Sequence, residues 1–157
     1  MNPLSELLTI DDVRLDLDLA NKAQLLDQVA GLLSVRHGLS KAVVLDSLIV
    51  REQLGSTGVG HGVAIPHARI SQCVAPAAAF VRTKFAIPFD APDGRPVSVF
   101  LGLIVPNTAT DRHLQLLATA AGMLDNRSFR DKLKTCTDPK ILRSLLAAWP
   151  DAPAPEG

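Results

Sequence analysis

The sequence predicts an α/β fold, a single domain in which strands alternate with helices, and three observations carry that prediction. Residues 13–19, VRLDLDL, alternate apolar and charged positions, the pattern of a strand with one wet face. Residues 97–105, VSVFLGLIV, are almost wholly apolar and strand-sized, as a strand covered on both faces must be. Around them lie segments whose apolar residues recur every three to four positions between recognisable caps, the pattern of helices that pack on such a sheet.

The whole chain sets bounds on this fold and on its functions. Its 157 residues fit one domain, and an apolar share of 47% can build a substantial core. Sixteen basic and sixteen acidic residues cancel, so no electrostatic argument favours nucleic acid or direct membrane insertion. The N-terminus has no basic n-region, and no apolar run approaches the roughly 20 residues of a bilayer-spanning helix, so a cytoplasmic location is expected. Cys73 and Cys136 lack a C-x-x-C partner and read as free thiols.

Each element can be justified in order. After the strand at 13–19, Asn21 caps a helix with Gln24 in a capping-box position, and Leu25, Val29, Leu32 and Leu33 form its apolar side. Arg36, His37 and Gly38 are the expected end of that helix, which accounts for His37. Ser40 opens a second helix with Val44, Leu45, Leu48 and Ile49 inward, running to Leu54 and stopped by Gly55. A loop is expected over 70–77. Residues 78–89 read as a partly exposed strand with Val81, Thr83, Phe85 and Ile87 on one face and Arg82 and Lys84 on the other. The turn signal Asp93-Gly94 joins it as a hairpin to 97–105. Past Pro106, a helix capped near Thr108 or Thr110 places Leu114, Leu117, Ala121 and Leu124 inward. A further helix covers 128–134, and Asp138-Pro139 starts the last one, with Trp149 as a packing residue. The expected organisation is an N-terminal segment 1–12, a domain 13–149 and a disordered tail 150–157.

The chemistry-bearing stretch is 54–69, LGSTGVGHGVAIPHAR. Gly58, Gly60 and Gly62 allow positive φ and let backbone N–H groups approach an anion without a Cβ in the way. The short segment 63–65 can pair as a strand, and Pro66, which has no N–H, is expected to end it and hold His67 there. The result is a fixed imidazole beside an anion-binding loop.

GSTGVGHGVAIPH resembles the phosphorylation-site signature of the fructose/mannitol-type enzyme IIA domains of the bacterial phosphoenolpyruvate-dependent phosphotransferase system, including its nitrogen-regulatory branch. PFDAPDGRPVSVFLGLIVP is a second block similar to the same family, and together the resemblance covers residues 13–146. It implies the family's α/β fold, a single domain with a mixed β-sheet flanked by helices, and a phosphotransferase component with His67 as the phosphorylated nucleophile through its Nε2 atom. It also implies that Arg51, sixteen positions before His67, binds the phosphoryl group, and that His113 is a second active-site histidine. An arginine fork suits phosphate oxygens better than a lysine point charge. The Ser56 and Thr57 hydroxyls and the N–H groups of Gly58, Gly60 and Gly62 are the expected phosphate-binding groups. Two departures from the family stand out: Ala68 replaces the usual glycine after the histidine, and His61 occupies a variable loop position.

The resemblance implies an HPr-like phosphocarrier protein as donor. The recipient is either a set of regulatory target proteins, as in the nitrogen-type branch, or a IIB protein in fructose/mannitol-type uptake. A chain ending without a IIB-like or IIC-like extension is expected of stand-alone nitrogen-type proteins. No cofactor is expected. The four histidines lack H-x-x-x-H spacing and an acidic ligand cluster, which argues against a metal-dependent hydrolase. The G-K-[ST] ending of a P-loop is absent, which argues against direct ATP use.

Overall fold

The computed structural model describes residues 2–71, 75–108 and 111–150. Two short 3-10 turns, Pro3–Glu6 and Ile10–Asp12, lead into β1 (Val13–Leu17), α1 (Lys22–Arg36) and α2 (Lys41–Gln53). Three short strands follow, β2 (Gly58–Gly60), β3 (Val63–Ala64) and β4 (His67–Ile70), and then the long pair β5 (Ala77–Ile87) and β6 (Val97–Pro106). Helices α3 (Asp111–Asp125), α4 (Arg127–Thr135) and α5 (Pro139–Ala148) complete the chain.

The six strands form one mixed sheet in the order β1-β5-β6-β3-β2, with β4 also paired to β6. Strands β5 and β6 are the expected antiparallel hairpin, while β1 runs parallel to β5, and β3 and β4 run parallel to β6. Alternation along the central strands divides the core into two layers. Ala79, Val81, Phe100 and Ile104 face Leu25, Val29 and Leu33 of α1 and Val44 and Leu48 of α2. Phe80, Val99, Leu101 and Leu103 face Leu116, Met123, Phe129, Leu133 and Leu142 of the C-terminal helices. Both faces of β6 are therefore dry, which is why its sequence is a continuous apolar run. Leu4 and Leu8 are buried in the second layer, and the Asn2 amide donates to Leu146 O and Trp149 O, so the first residues are built into the same core.

The helix boundaries follow their caps. The Asn21 side chain accepts from Gln24 N at 2.9 Å, and Gln24 Oε1 accepts in return from Ala20 N, one residue before the expected capping-box position. Gly38 terminates α1 with φ +63°, and Asp138 accepts from Lys140 N to start α5. Trp149 packs against Phe129, ring centroids 4.9 Å apart. His37 Nε2 lies 3.1 Å from Pro76 O, in keeping with a role at the helix end.

Several expectations are corrected. Strand β1 stops at Leu17 instead of residue 19, because Asp16 adopts φ +58° and the pairing with β5 shifts register there. Arg82 is buried, not exposed: its guanidinium donates to Leu133 O and Cys136 O at the end of α4 and to Asp16 at the sheet edge. Phe85, placed on one face with Val81, Thr83 and Ile87, is 63% exposed while those three are buried, because the pairing of β5 with β6 shifts register between Arg82 and Ile87. The chain resumes as a strand after Pro66, and Ile70 belongs to β4 instead of the loop. The expected cap at Thr110, Cys73 and the tail 151–157 lie outside the described residues. Among the described residues no helix is long and apolar enough to cross a membrane.

Candidate active site

The site is built where the end of α2 meets the interrupted strand β3–β4. Leu54 N donates to Arg51 O and Gly55 N to Glu52 O, closing the last turn of α2, and Arg51 Nη1 donates to Gly55 O at 2.7 Å. The guanidinium is thus braced against the chain reversal while the rest of its donor fork remains for a ligand.

The backbone around His67 is set by its proline. β3 pairs with Val99 and Phe100, β4 pairs from Leu103 onward, and between them Leu103 N donates to Pro66 O at 2.9 Å. Pro66 cannot donate to the ladder, so the pairing breaks for a step and then resumes with His67 as the first residue of β4. At the break, Ile65 O accepts from His67 Nδ1 at 2.7 Å. A carbonyl oxygen only accepts, so Nδ1 carries the hydrogen and Nε2 keeps its lone pair. The geometry leaves Nε2 as the nucleophilic nitrogen.

His67 and Arg51 line one cavity of about 520 Å³, together with Val50 of α2 and its C-cap Leu54, Arg69 of β4 and Leu117 of α3. His113 stands four residues before Leu117, on the same side of α3, half-buried in its first turn. The loop residues are placed differently. Ser56 Oγ donates to Phe89 O and accepts from Gly58 N, and Thr57 gives both its N–H and its hydroxyl to Glu52. Gly60 and Gly62, at φ +91° and +81°, abut Asp93 and Lys134. None of Ser56, Thr57, Gly58, Gly60 and Gly62 lines the His67 cavity; they turn and brace the chain that carries the histidine. His61 takes φ +58°, its N–H donating to Asp93 and its carbonyl accepting from Lys134, so it shapes the turn through its backbone. Ala68 sits in a strand with its methyl group buried in the first core layer, where no glycine is required.

Burial of the His67 ring lowers its pKa from the ordinary 6.5, the hydrogen bond to Ile65 opposes this, Arg51 lowers it further and Glu52 raises it. The neutral, nucleophilic ring therefore persists to lower pH than in an exposed histidine. Imidazole NMR is expected to show an Nδ1-protonated neutral tautomer titrating below 6.5; a midpoint above that value, or a mixture of tautomers, would contradict this geometry. The unfolded chain holds this proton more tightly than the folded one, so the group's contribution is present above about pH 6.5 and is lost as pH falls towards the folded value.

Sequence reasoning missed Glu52. Its side chain is 5% exposed and paired with Lys22 at 3.0 Å. A signal was present: a carboxylate in the last turn of a helix opposes the macrodipole and needs a local partner. Among the described residues no group of three or more His, Cys, Asp or Glu side chains could hold a metal ion.

Comparison with known proteins decides the family. The profile described as "Phosphoenolpyruvate-dependent sugar phosphotransferase system, EIIA 2" matches residues 6–149. The chain belongs to this family. As an EIIA 2 domain it is a phosphoryl-transfer component of that system. A nitrogen regulatory protein of Pseudomonas aeruginosa is 38% identical over 127 residues, 80% of this chain and 82% of the relative. The crystal structure of the nitrogen regulatory protein IIA-Ntr from Neisseria meningitidis superposes with a TM-score of 0.88 at 40% identity, covering 91% of this chain and 98% of that one. The mannitol enzyme IIA of Escherichia coli, solved in complex with phosphorylated enzyme IIB, has a TM-score of 0.77 at 19% identity, covering 90% and 97%. That last likeness shows the EIIA fold alone.

Proposed function

We propose that this EIIA 2 domain is a cytoplasmic phosphocarrier that accepts a phosphoryl group on His67 Nε2 from an HPr-like phosphocarrier protein and has a nitrogen-type regulatory output. The observation that carries the proposal is the His67 ring itself, held by Ile65 O through Nδ1 with Nε2 available in a cavity shared with Arg51. Phosphoryl transfer needs a positioned nucleophile and compensating positive charge more than covalent help from the protein. Nε2 forms the new P–N bond as the donor histidine's P–N bond breaks, and the donor nitrogen regains its lone pair. Arg51 binds the equatorial phosphoryl oxygens, and His113 approaches from the first turn of α3. The glycine loop contributes by holding the strand.

The regulatory output is supported by the 40% identity to IIA-Ntr. The alternative recipient, a IIB protein in fructose/mannitol-type uptake, is favoured by the sugar system named in the family description. Incubation with phosphoenolpyruvate, enzyme I and an HPr-like carrier, followed by intact-mass analysis, tests the carrier role. One acid-labile, alkali-stable phosphoryl group on the peptide containing His67 is expected. No uptake by correctly folded protein would overturn the proposal. Adding a IIB protein to the loaded chain then separates the outputs, since loss of the label to IIB supports sugar uptake.

A further inference from the structure

We infer that Glu52 is a positioning residue for phosphoryl transfer at His67, an inference that rests on the functional reading above. Its carboxylate ties the end of α2, which carries Arg51, to the backbone that orients the histidine ring.

The connection can be followed bond by bond. Glu52 Oε1 accepts from Thr57 Oγ1 at 2.6 Å, and Oε2 accepts from Thr57 N at 3.0 Å and from Lys22 Nζ at 3.0 Å. Thr57 O accepts from Ile65 N at 3.0 Å, and Ile65 O accepts from His67 Nδ1 at 2.7 Å. One buried carboxylate thus anchors Thr57, whose carbonyl fixes Ile65, whose carbonyl fixes the ring. The links pass through the Cα atoms of Thr57 and Ile65, so the carboxylate acts on the ring by fixing the geometry of the backbone. At its own backbone Glu52 adjoins Arg51, and Gly55 N closes on Glu52 O while Arg51 Nη1 closes on Gly55 O. The His67 ring is thus tied to the side chain of Glu52 and the Arg51 guanidinium, through Gly55, to its main chain.

Loop anchoring alone does not call for a charge here. A neutral side chain could accept from Thr57 without the desolvation cost of a buried carboxylate at the unfavourable end of a helix. The carboxylate has Lys22 as its counter-charge, and Lys22 in turn lies 4.4 Å over the Phe89 ring and 3.2 Å from Asp90. The charged groups that line the cavity beside His67 are Asp46 and Arg51 from α2 and Arg69 from β4, and His113 stands on α3 four residues before Leu117, which also lines it. Arg51 and Glu52 are the charges that act on the ring, in opposite directions.

The test compares Glu52→Ala and Glu52→Gln with wild type, using a phosphorylated HPr-like donor and imidazole NMR of His67. Glu52→Ala is expected to slow the maximal transfer rate about tenfold or more, since small displacements of positioned groups cost that much. The donor concentration for half-maximal rate should change by less than about threefold, because Glu52 itself is too buried to meet the donor. Glu52→Gln, which keeps an acceptor for Thr57, guards against a misfolded alanine variant. Its His67 should keep the Nδ1-protonated tautomer and titrate below the wild-type ring. A wild-type rate in both variants with an unchanged titration would overturn the inference while leaving the carrier function standing. A rise in the half-maximal donor concentration with an unchanged maximal rate would likewise overturn it, because that assigns Glu52 to docking. A wild-type chain that takes up no phosphoryl group would overturn the functional reading and the transfer role with it.

Discussion

His67→Ala is expected to take up no phosphoryl group under conditions that load the wild-type chain to one per molecule, and to do so while folded. The nucleophile cannot be replaced from nearby. Arg51 and Arg69, which share the cavity, carry permanent positive charge and cannot attack phosphorus, Ser47 donates its hydroxyl to Val43 O, an acyl phosphate on Asp46 would not be alkali-stable, and Ser56 and Thr57 are committed to Phe89 O and Glu52 away from the cavity. His113 is a histidine, but it stands on another element, in the first turn of α3, and the bond from Nδ1 to Ile65 O belongs to the His67 ring. Removal of the half-buried ring should cost the fold little, about 1 kcal/mol for the lost hydrogen bond, because Ile65 O then opens onto the cavity and can bind water. Circular dichroism and a melting temperature within a few degrees of wild type would show the fold intact. A variant that still gains an acid-labile group would move the site to another histidine.

Much of this site was legible because its signals are local. Pro66 before His67, the helix end that delivers Arg51, and the positive-φ glycines all act within a few residues of where they are read. What was misread depends on contacts made from far away in the chain. Pro66 looked like the end of a strand, yet the parallel partner β6 continues past it and supplies Leu103 N to its carbonyl, so pairing resumes. Arg82 looked exposed because alternation places it opposite Val81. Its face is in fact covered by α4, more than forty residues downstream, whose last carbonyls it satisfies. The glycine loop looked like an anion cradle because free N–H groups and committed ones are identical in sequence. In the structure Gly58 N donates to Ser56 Oγ and His61 N to Asp93 of the hairpin turn, so two of the loop's N–H groups have acceptors within the protein.

The fold's sharpest steric demand was also invisible in the sequence, and it gives the largest expected loss of stability from a single small substitution. Gly102 lies in the middle of the apolar run of β6, where valine would be the natural strand residue by propensity. A Cβ there would sit 2.5 Å from Val29 Cγ1 and 3.6 Å from Leu33 Cδ1. Val29 is fully buried on α1, and a β-branched side chain in a helix has one strongly preferred rotamer, so the methyl cannot swing aside. Helix α1 must move off the sheet instead. Replacing glycine in a strand recovers about 0.5–1 kcal/mol of backbone entropy, against about 1–3 kcal/mol for overpacking by a single methyl. Gly102→Ala should therefore be destabilised on balance, and Gly102→Val, with two further methyl groups in the same place, by about 3 kcal/mol or more. At roughly 2–4 °C per kcal/mol for a chain of this size, the valine variant should melt about 6–12 °C below wild type. If the clash is the cause, removing its partner should relieve it. Val29→Ala alone leaves a void and is destabilised, but combined with Gly102→Ala it frees the space the new methyl needs, so the double variant should be more stable than the two single losses added together. Additive losses would mean that α1 yields without strain and that Gly102 serves only backbone conformation.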